Sequence, residues 1–159
     1  MKRFVQGMVT TAVGAAAGAI AIDNMLSKSL KKSQENTEKF HMLFRMMNQW
    51  VEVKQKGVNL SQFFEENGYK KIAVYGMATV GETFFNELKG TSTEIVYAID
   101  KNKAGIAAGV AIYSPDEELP PVDVIVVTAI SYYDEIATML EGKVDYPIIS
   151  LEDVVYNIL

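Results

Sequence analysis

Ile72-Ala73-Val74-Tyr75-Gly76-Met77-Ala78-Thr79-Val80-Gly81 runs from an apolar, β-branched stretch through a small-residue turn into a segment with helical spacing. Strand, tight turn and helix in that order open a βαβ unit. The turn matches the dinucleotide fingerprint G-x-G-x-x-G except that Ala78 stands at the second glycine. In that geometry the first glycine makes the turn, and the helix N-terminus offers free N–H groups and the positive end of its dipole to phosphate. Asp100 lies twenty-four residues beyond Gly76, at the end of the next apolar run, where an acid can accept hydrogen bonds from a ribose diol. Two residues depart from the pattern. The Ala78 methyl occupies the place of closest backbone approach to a pyrophosphate. Thr79 and Glu82 have capping-box spacing, which puts Thr79 at the helix cap and a carboxylate in the first turn, where it repels a diphosphate. A nucleotide pocket and a Rossmann-shaped turn that has lost its ligand both remain open on these residues.

Working outward, strands alternate with helices from Tyr69 onward, the signature of a parallel sheet covered on both faces. Strands are expected at residues 71–75, 94–99, 110–113, 122–128 and 147–150, the third weak and without a full helix before it. Helices fit residues 80–89, 132–140 and 151–158, and Ser131 with Asp134 predicts a capping box for the second. The fold class is therefore α/β, a small doubly wound parallel sheet occupying residues 58–159 and preceded by helical segments.

Upstream, residues 23–57 form an amphipathic stalk. Phe40, Leu43, Phe44, Met47, Trp50 and Val51 recur at helical spacing, a stripe that reads as core or as a helix–helix seam, with Gly57 as a C-cap. A short helix opens at Asn59 and closes at Asn67-Gly68. Residues 4–22, from Phe4 to Ile22, carry no charge and would reach about 28 Å as a helix, enough to cross a bilayer. Gly7, Thr11, Gly14 and Gly18 make a smooth small-residue face on it. A membrane anchor, a signal peptide ending at Ala19-Ile20-Ala21 and a helix packed on a protein partner are the competing readings. As an anchor, its flanking lysines place the C-terminal part in the cytosol, and the expected localisation is cytoplasmic with or without that attachment.

Composition narrows the function. The chain has 159 residues, no cysteine and one histidine, His41, which excludes disulfide, zinc-thiolate and iron–sulfur sites, a cysteine nucleophile and any multi-histidine metal site. The net charge of −5 is unevenly spread. Residues 1–56 carry nine Lys/Arg against four Asp/Glu, and residues 57–159 carry six against sixteen. An acidic sheet domain does not suit nucleic acid, which requires a cationic surface. Catalytic patterns are absent: no Tyr-x-x-x-Lys follows Tyr132 or Tyr133, and His41 lies outside the sheet domain, so a serine there has no base. Asp116, Glu117 and Glu118 read as solvated charge, and Tyr132 and Tyr133 point to opposite sides of their helix, one to the core and one outward.

The run from Lys71 to Gly81, then Val96-Tyr-Ala-Ile-Asp-Lys-Asn102, Ile112-Tyr-Ser-Pro115 and Val124-Ile-Val-Val-Thr-Ala129, resembles the Rossmann-like nucleotide-sugar-binding domain of bacterial polysaccharide-biosynthesis proteins. The N-terminal domain of sugar O- and N-acyltransferases is one version, and domains appended to glycosyltransferases and sugar C-methyltransferases are similar. The resemblance implies a half-Rossmann module of strand order 3-2-1-4-5 that binds the nucleotide part of a UDP-sugar or NAD. It also implies that Gly76, Met77, Ala78, Thr79 and Gly81 form the phosphate turn, that Asp100 meets ribose with Lys101 and Asn102 beside it, and that Thr128, Ala129 and Ile130 border the pocket. Relatives often carry Gly-His-Gly-Lys-like residues through the turn, where this chain has Thr79-Val80-Gly81-Glu82. The acyltransferases owe catalysis to a separate left-handed β-helix, and no hexapeptide repeat stands here. The expectation is a nucleotide- or nucleotide-sugar-binding module accessory to bacterial cell-surface polysaccharide biosynthesis, binding a nucleotide-type small molecule and no nucleic acid, and assembling as a homo-oligomer or through a helix-mediated partner. A non-catalytic scaffold with a degenerate turn is the alternative. An NAD-dependent oxidoreductase subunit, which would need a partner chain for its substrate domain, is a third.

Overall fold

A computed structural model describes residues 2–102 and 109–158, and the side chains of those from 24 onward. Helix α1 spans Lys2–Gln55, and the chain divides into two units, Met1–His41 and Met42–Leu159. In the first, the described residues are nearly all exposed, including Met25, Leu26, Leu30, Phe40 and His41. The side chains of residues 4–22, on which the anchor reading depends, lie outside the described residues. Among the described residues no helix is long and apolar enough to cross a membrane.

The second unit is the sheet domain. After the last turns of α1 come α2 (Ser61–Glu66), β1 (Lys71–Tyr75), α3 (Thr79–Leu88), β2 (Glu94–Ile99), β3 (Ala111–Tyr113) and β4 (Val124–Val127). A single 3-10 turn at Ile130–Tyr132 leads into α4 (Tyr133–Glu141), followed by β5 (Ile148–Ser150) and α5 (Leu151–Tyr156). All pairings are parallel and the order is β3-β2-β1-β4-β5, the doubly wound arrangement expected from the sequence. Whether a helix precedes β3 falls on residues 103–108, outside the described residues.

Period-two alternation distributes the central strands between two cores. Ile72, Val74, Val124 and Val126 face the side covered by α2, α3, α5 and the end of α1, while Ala73, Tyr75, Ile125 and Val127 face α4. A register shift opposite Ile72 and Ala73 leaves Val96 unpaired on β2, so Val96 and Tyr97 both turn toward the α4 side. There the Tyr97 hydroxyl donates to the Pro120 carbonyl at 2.7 Å and meets the Tyr146 hydroxyl at 3.2 Å. Burial and that bond push the Tyr97 phenol well above its ordinary range, so it stays neutral.

The last turns of α1 belong to this core. Met46, Trp50 and Val53 are buried, and the Trp50 and Phe84 rings meet edge-on at 6.4 Å. Lys54 pairs with Glu87 of α3 at 2.7 Å, and Glu87 also accepts the Leu60 N–H at 3.3 Å. The inward face is thus centred on Met46, Trp50 and Val53, while Phe44 and Val51 of the predicted stripe point outward.

Asp123, just before β4, accepts the N–H groups of Lys70 and Lys71, each at 2.7 Å, and so fastens the start of β1 to the start of β4. Those two bonds, Lys71 first, hold its carboxyl below the ordinary carboxylate value. A carboxyl depressed in the folded state contributes stability that is complete above its unfolded pKa of about 4 and is lost as pH falls through the lower folded value. Asp123→Asn should therefore lower the melting temperature near pH 7, and the difference from wild type should close as pH drops below about 4. Thermal unfolding at a series of pH values checks this; a difference that persists unchanged at acid pH would refute it.

Candidate functional site

The turn after β1 is built by close backbone approach. Gly76 has φ +96°, and its N–H still bonds the Ile99 carbonyl at 2.9 Å, extending the ladder by one residue. A left-handed conformation of this kind favours glycine. Gly81, one turn into α3, lies so near that a Cβ built there would stand 2.0 Å from the Gly76 carbonyl oxygen. Thr128, buried at the end of β4, places its hydroxyl 2.5 Å from the Gly76 carbonyl and 3.1 Å from that of Tyr75. The turn, the helix start and the end of β4 are thereby held as one piece.

The capping expectation is corrected here. Ala78, extended at φ −72° and ψ −168°, is the N-cap of α3, and no side chain caps the helix. Thr79 is already its first helical residue and accepts the Thr83 hydroxyl at 2.8 Å. Glu82 remains in the first turn, and its N–H bonds the Ala78 carbonyl. The Gly81–Gly76 contact fixes where the helix begins, and that tertiary constraint overrides the local T-x-x-E signal. The Ser131–Asp134 box is likewise not made: the 3-10 turn leads in, and Tyr132 stands at the cap position of α4, where no side chain caps the helix.

Outside the carboxyl ends of the strands, the chain winds from β1 one way to β2 and the other way to β4. In an open α/β sheet the crevice at that reversal is the place for a ligand. A cavity of about 350 Å³ lies there. Tyr75 of β1, Gly76 and Ala78 of the turn, and Asp100 and Lys101 beyond β2 make one wall. Ala129 and Tyr132 beyond β4, with Glu135, Ile136 and Met139 of α4, make the other.

Five of the sequence-predicted residues, Gly76, Ala78, Asp100, Lys101 and Ala129, come together at this cavity. The others serve the frame. Met77 has its side chain buried in the helix-covered core, Thr79 and Gly81 build the start of α3, Thr128 bonds the main chain, and Asn102 is exposed. Asp100 has a task the fingerprint does not foresee. One carboxylate oxygen accepts the Met77 N–H at 3.0 Å and the other accepts the Asn102 N–H at 2.8 Å, tying the turn to the end of β2. A carboxylate offers about four acceptor positions, so it keeps capacity for a ligand hydroxyl.

Sequence reasoning passed over Tyr75, Glu135, Ile136 and Met139. The signal for the α4 residues was present: Tyr132, Glu135, Ile136 and Met139 follow i, i+3, i+4, i+7 and share a helix face. Tyr132 is the outward tyrosine of its pair, whereas the half-buried Tyr133 donates to the Ile148 carbonyl at 2.9 Å. Tyr75 is 4% exposed, and its hydroxyl is buried without a hydrogen-bond partner. Such an orphan costs about 1–3 kcal/mol. Burial, then the charges of Asp100 and Asp116, push its pKa upward and keep the phenol neutral. Thr93 carries the other orphaned hydroxyl among the described residues, at the opposite, N-terminal end of β2. The described residues contain no group of three or more His, Asp or Glu side chains placed to hold a metal ion.

A five-stranded parallel sheet of this order, with a glycine-built turn and a crevice at its switch point, defines a Rossmann-like domain. The chain belongs to the family described as C2185-like, N-terminal, whose model matches residues 68–148, from the approach to β1 to the start of β5. No curated protein and no solved structure matches the chain.

Proposed function

We propose that the protein is a nucleotide- or nucleotide-sugar-binding module that acts by binding rather than as a stand-alone enzyme. The observation that carries this reading is the cavity at the β1–β4 switch point, where Gly76, Ala78, Asp100 and Lys101 meet the first turn of α4. Asp100 supplies acceptors for a ribose diol, and the apolar wall of Ile136 and Met139 suits the face of a base. The setting in bacterial cell-surface polysaccharide assembly follows from the resemblance of the strand and turn sequences to that class. Calorimetric titration of the full chain with UDP-glucose, NAD and NADP tests it: at least one should bind, and absence of heat from all three at millimolar ligand would sink the reading.

A scaffold reading is favoured by a different observation. Phe44 and Val51, two turns apart on one face of α1, are 70% and 50% exposed and suit a second copy of the chain. Sedimentation of the full chain separates the two readings, since a strictly monomeric protein gives the scaffold no support.

A further inference from the structure

We propose that the switch-point cavity recognises an uncharged nucleoside, free or as the end of a larger nucleotide, through the buried Tyr75 hydroxyl and without help from a bound diphosphate. This rests on the nucleotide-binding reading above and narrows it.

Three observations converge. Tyr75 lines the cavity, is 4% exposed, and has a hydroxyl with no hydrogen-bond partner. A buried polar group left unpaired opposes folding, and its retention beside a cavity is accounted for when a ligand completes its bonding. Two donors on the phosphate side of the turn, by contrast, are already engaged. The Gly76 N–H lies in the sheet ladder and the Met77 N–H is taken by Asp100 at 3.0 Å. A diphosphate at the start of α3 would approach the carboxylates of Asp100 and Glu82, with Glu135 on the opposite wall, and Lys101 is the single cation among the described residues of the cavity lining. Size points the same way, because about 350 Å³ is near the lower limit of ligand pockets, roughly 300–1,000 Å³, and suits one base with its sugar rather than a dinucleotide.

A nucleoside fits the chemistry that remains. The carboxylates of Asp100 and Glu135 accept from hydroxyl or amino groups, and a neutral phenol both donates and accepts. Tyr75 would then contact the ligand from the sheet, below the Ile136 and Met139 wall.

The test is calorimetric titration of the full chain and of Tyr75→Phe with adenosine, uridine, ADP and UDP, together with the melting temperature of each protein. A nucleoside should bind wild type within tenfold of its own diphosphate. Tyr75→Phe should weaken that nucleoside at least tenfold while melting at the same or a higher temperature, since it deletes only an unpaired hydroxyl. A diphosphate bound more than tenfold tighter than its nucleoside overturns this inference and leaves the nucleotide reading standing. Undiminished nucleoside binding by Tyr75→Phe, or a variant that melts lower or fails to fold, also overturns it by assigning the hydroxyl no ligand or a structural partner. No binding of any probe at millimolar concentration overturns the inference and the nucleotide reading together.

Discussion

Gly81→Ala should be the most damaging single methyl that can be added to this domain. An ideal Cβ at Gly81 would stand 2.0 Å from the Gly76 carbonyl oxygen, 3.0 Å from its carbon and 3.4 Å from the Thr128 hydroxyl. The first two are backbone atoms of β1 and its turn, so no side chain can swing aside. Relief requires α3 to lift from the sheet, which would drag Phe84 and Leu88 out of the core and open the turn beside Asp100. Overpacking in a well-filled core costs about 1–3 kcal/mol and occasionally more. Because backbone must move here, about 3 kcal/mol or above is expected, or on the order of 10 °C or more in melting temperature for a domain of this size. Gly142→Ala is the control, because a Cβ there meets nothing within 4 Å. Chemical denaturation of both variants checks the claim; a Gly81→Ala protein as stable as the Gly142→Ala protein would show that the close approach is not required.

Trp50→Ala comes second. Trp50 is 3% exposed and packs edge-on against Phe84, in a core that also holds Met46, Val53 and Phe64. Truncating a buried tryptophan leaves a cavity and forfeits its apolar burial, and about 3–5 kcal/mol is the usual cost. Val51→Ala, next door and half exposed, should change stability by no more than about 0.5 kcal/mol. Equal effects of the two substitutions would mean that the last turns of α1 are an appendage; a large gap makes residues 42–55 an integral layer of the sheet domain. Any fragment made for ligand binding should then begin before Met42.

The apolar stripe of that helix shows where sequence periodicity runs out. Phe40, Leu43, Phe44, Met47, Trp50 and Val51 share one set of helical positions, and Met46, Trp50 and Val53 share another centred on a neighbouring face. Both satisfy a 3.6-residue period. Only the surface offered by Phe64, Phe84 and the sheet selects the second. The capping boxes ran out in the same way. Local hydrogen-bond signals at Thr79 and Ser131 yielded to the Gly81–Gly76 contact and to the 3-10 turn that brings Tyr132 over the crevice.

At the site, the residues that form the turn were readable because their task is steric and local. A glycine is needed at positive φ and another at a helix–strand contact, and each leaves its mark in the chain. Tyr75 was not readable, because nothing in its own neighbourhood states whether its hydroxyl finds a partner. Asp100 was read for the ligand and is found holding the Met77 and Asn102 N–H groups as well.

Alone, then, the sequence determined the alternation of strand and helix, the parallel sheet they build and the position of its turn, because period-two and period-3.6 burial and glycine sterics act over a few residues; the strand order came from the resemblance to a known class. The tertiary structure alone decided which face of α1 enters the core, which carboxylate bonds hold the turn, and that a tyrosine lining the cavity keeps a neutral, unpaired hydroxyl. Those depend on contacts between residues far apart in the chain, and hydrogen-bond satisfaction is settled only when every neighbour is in place.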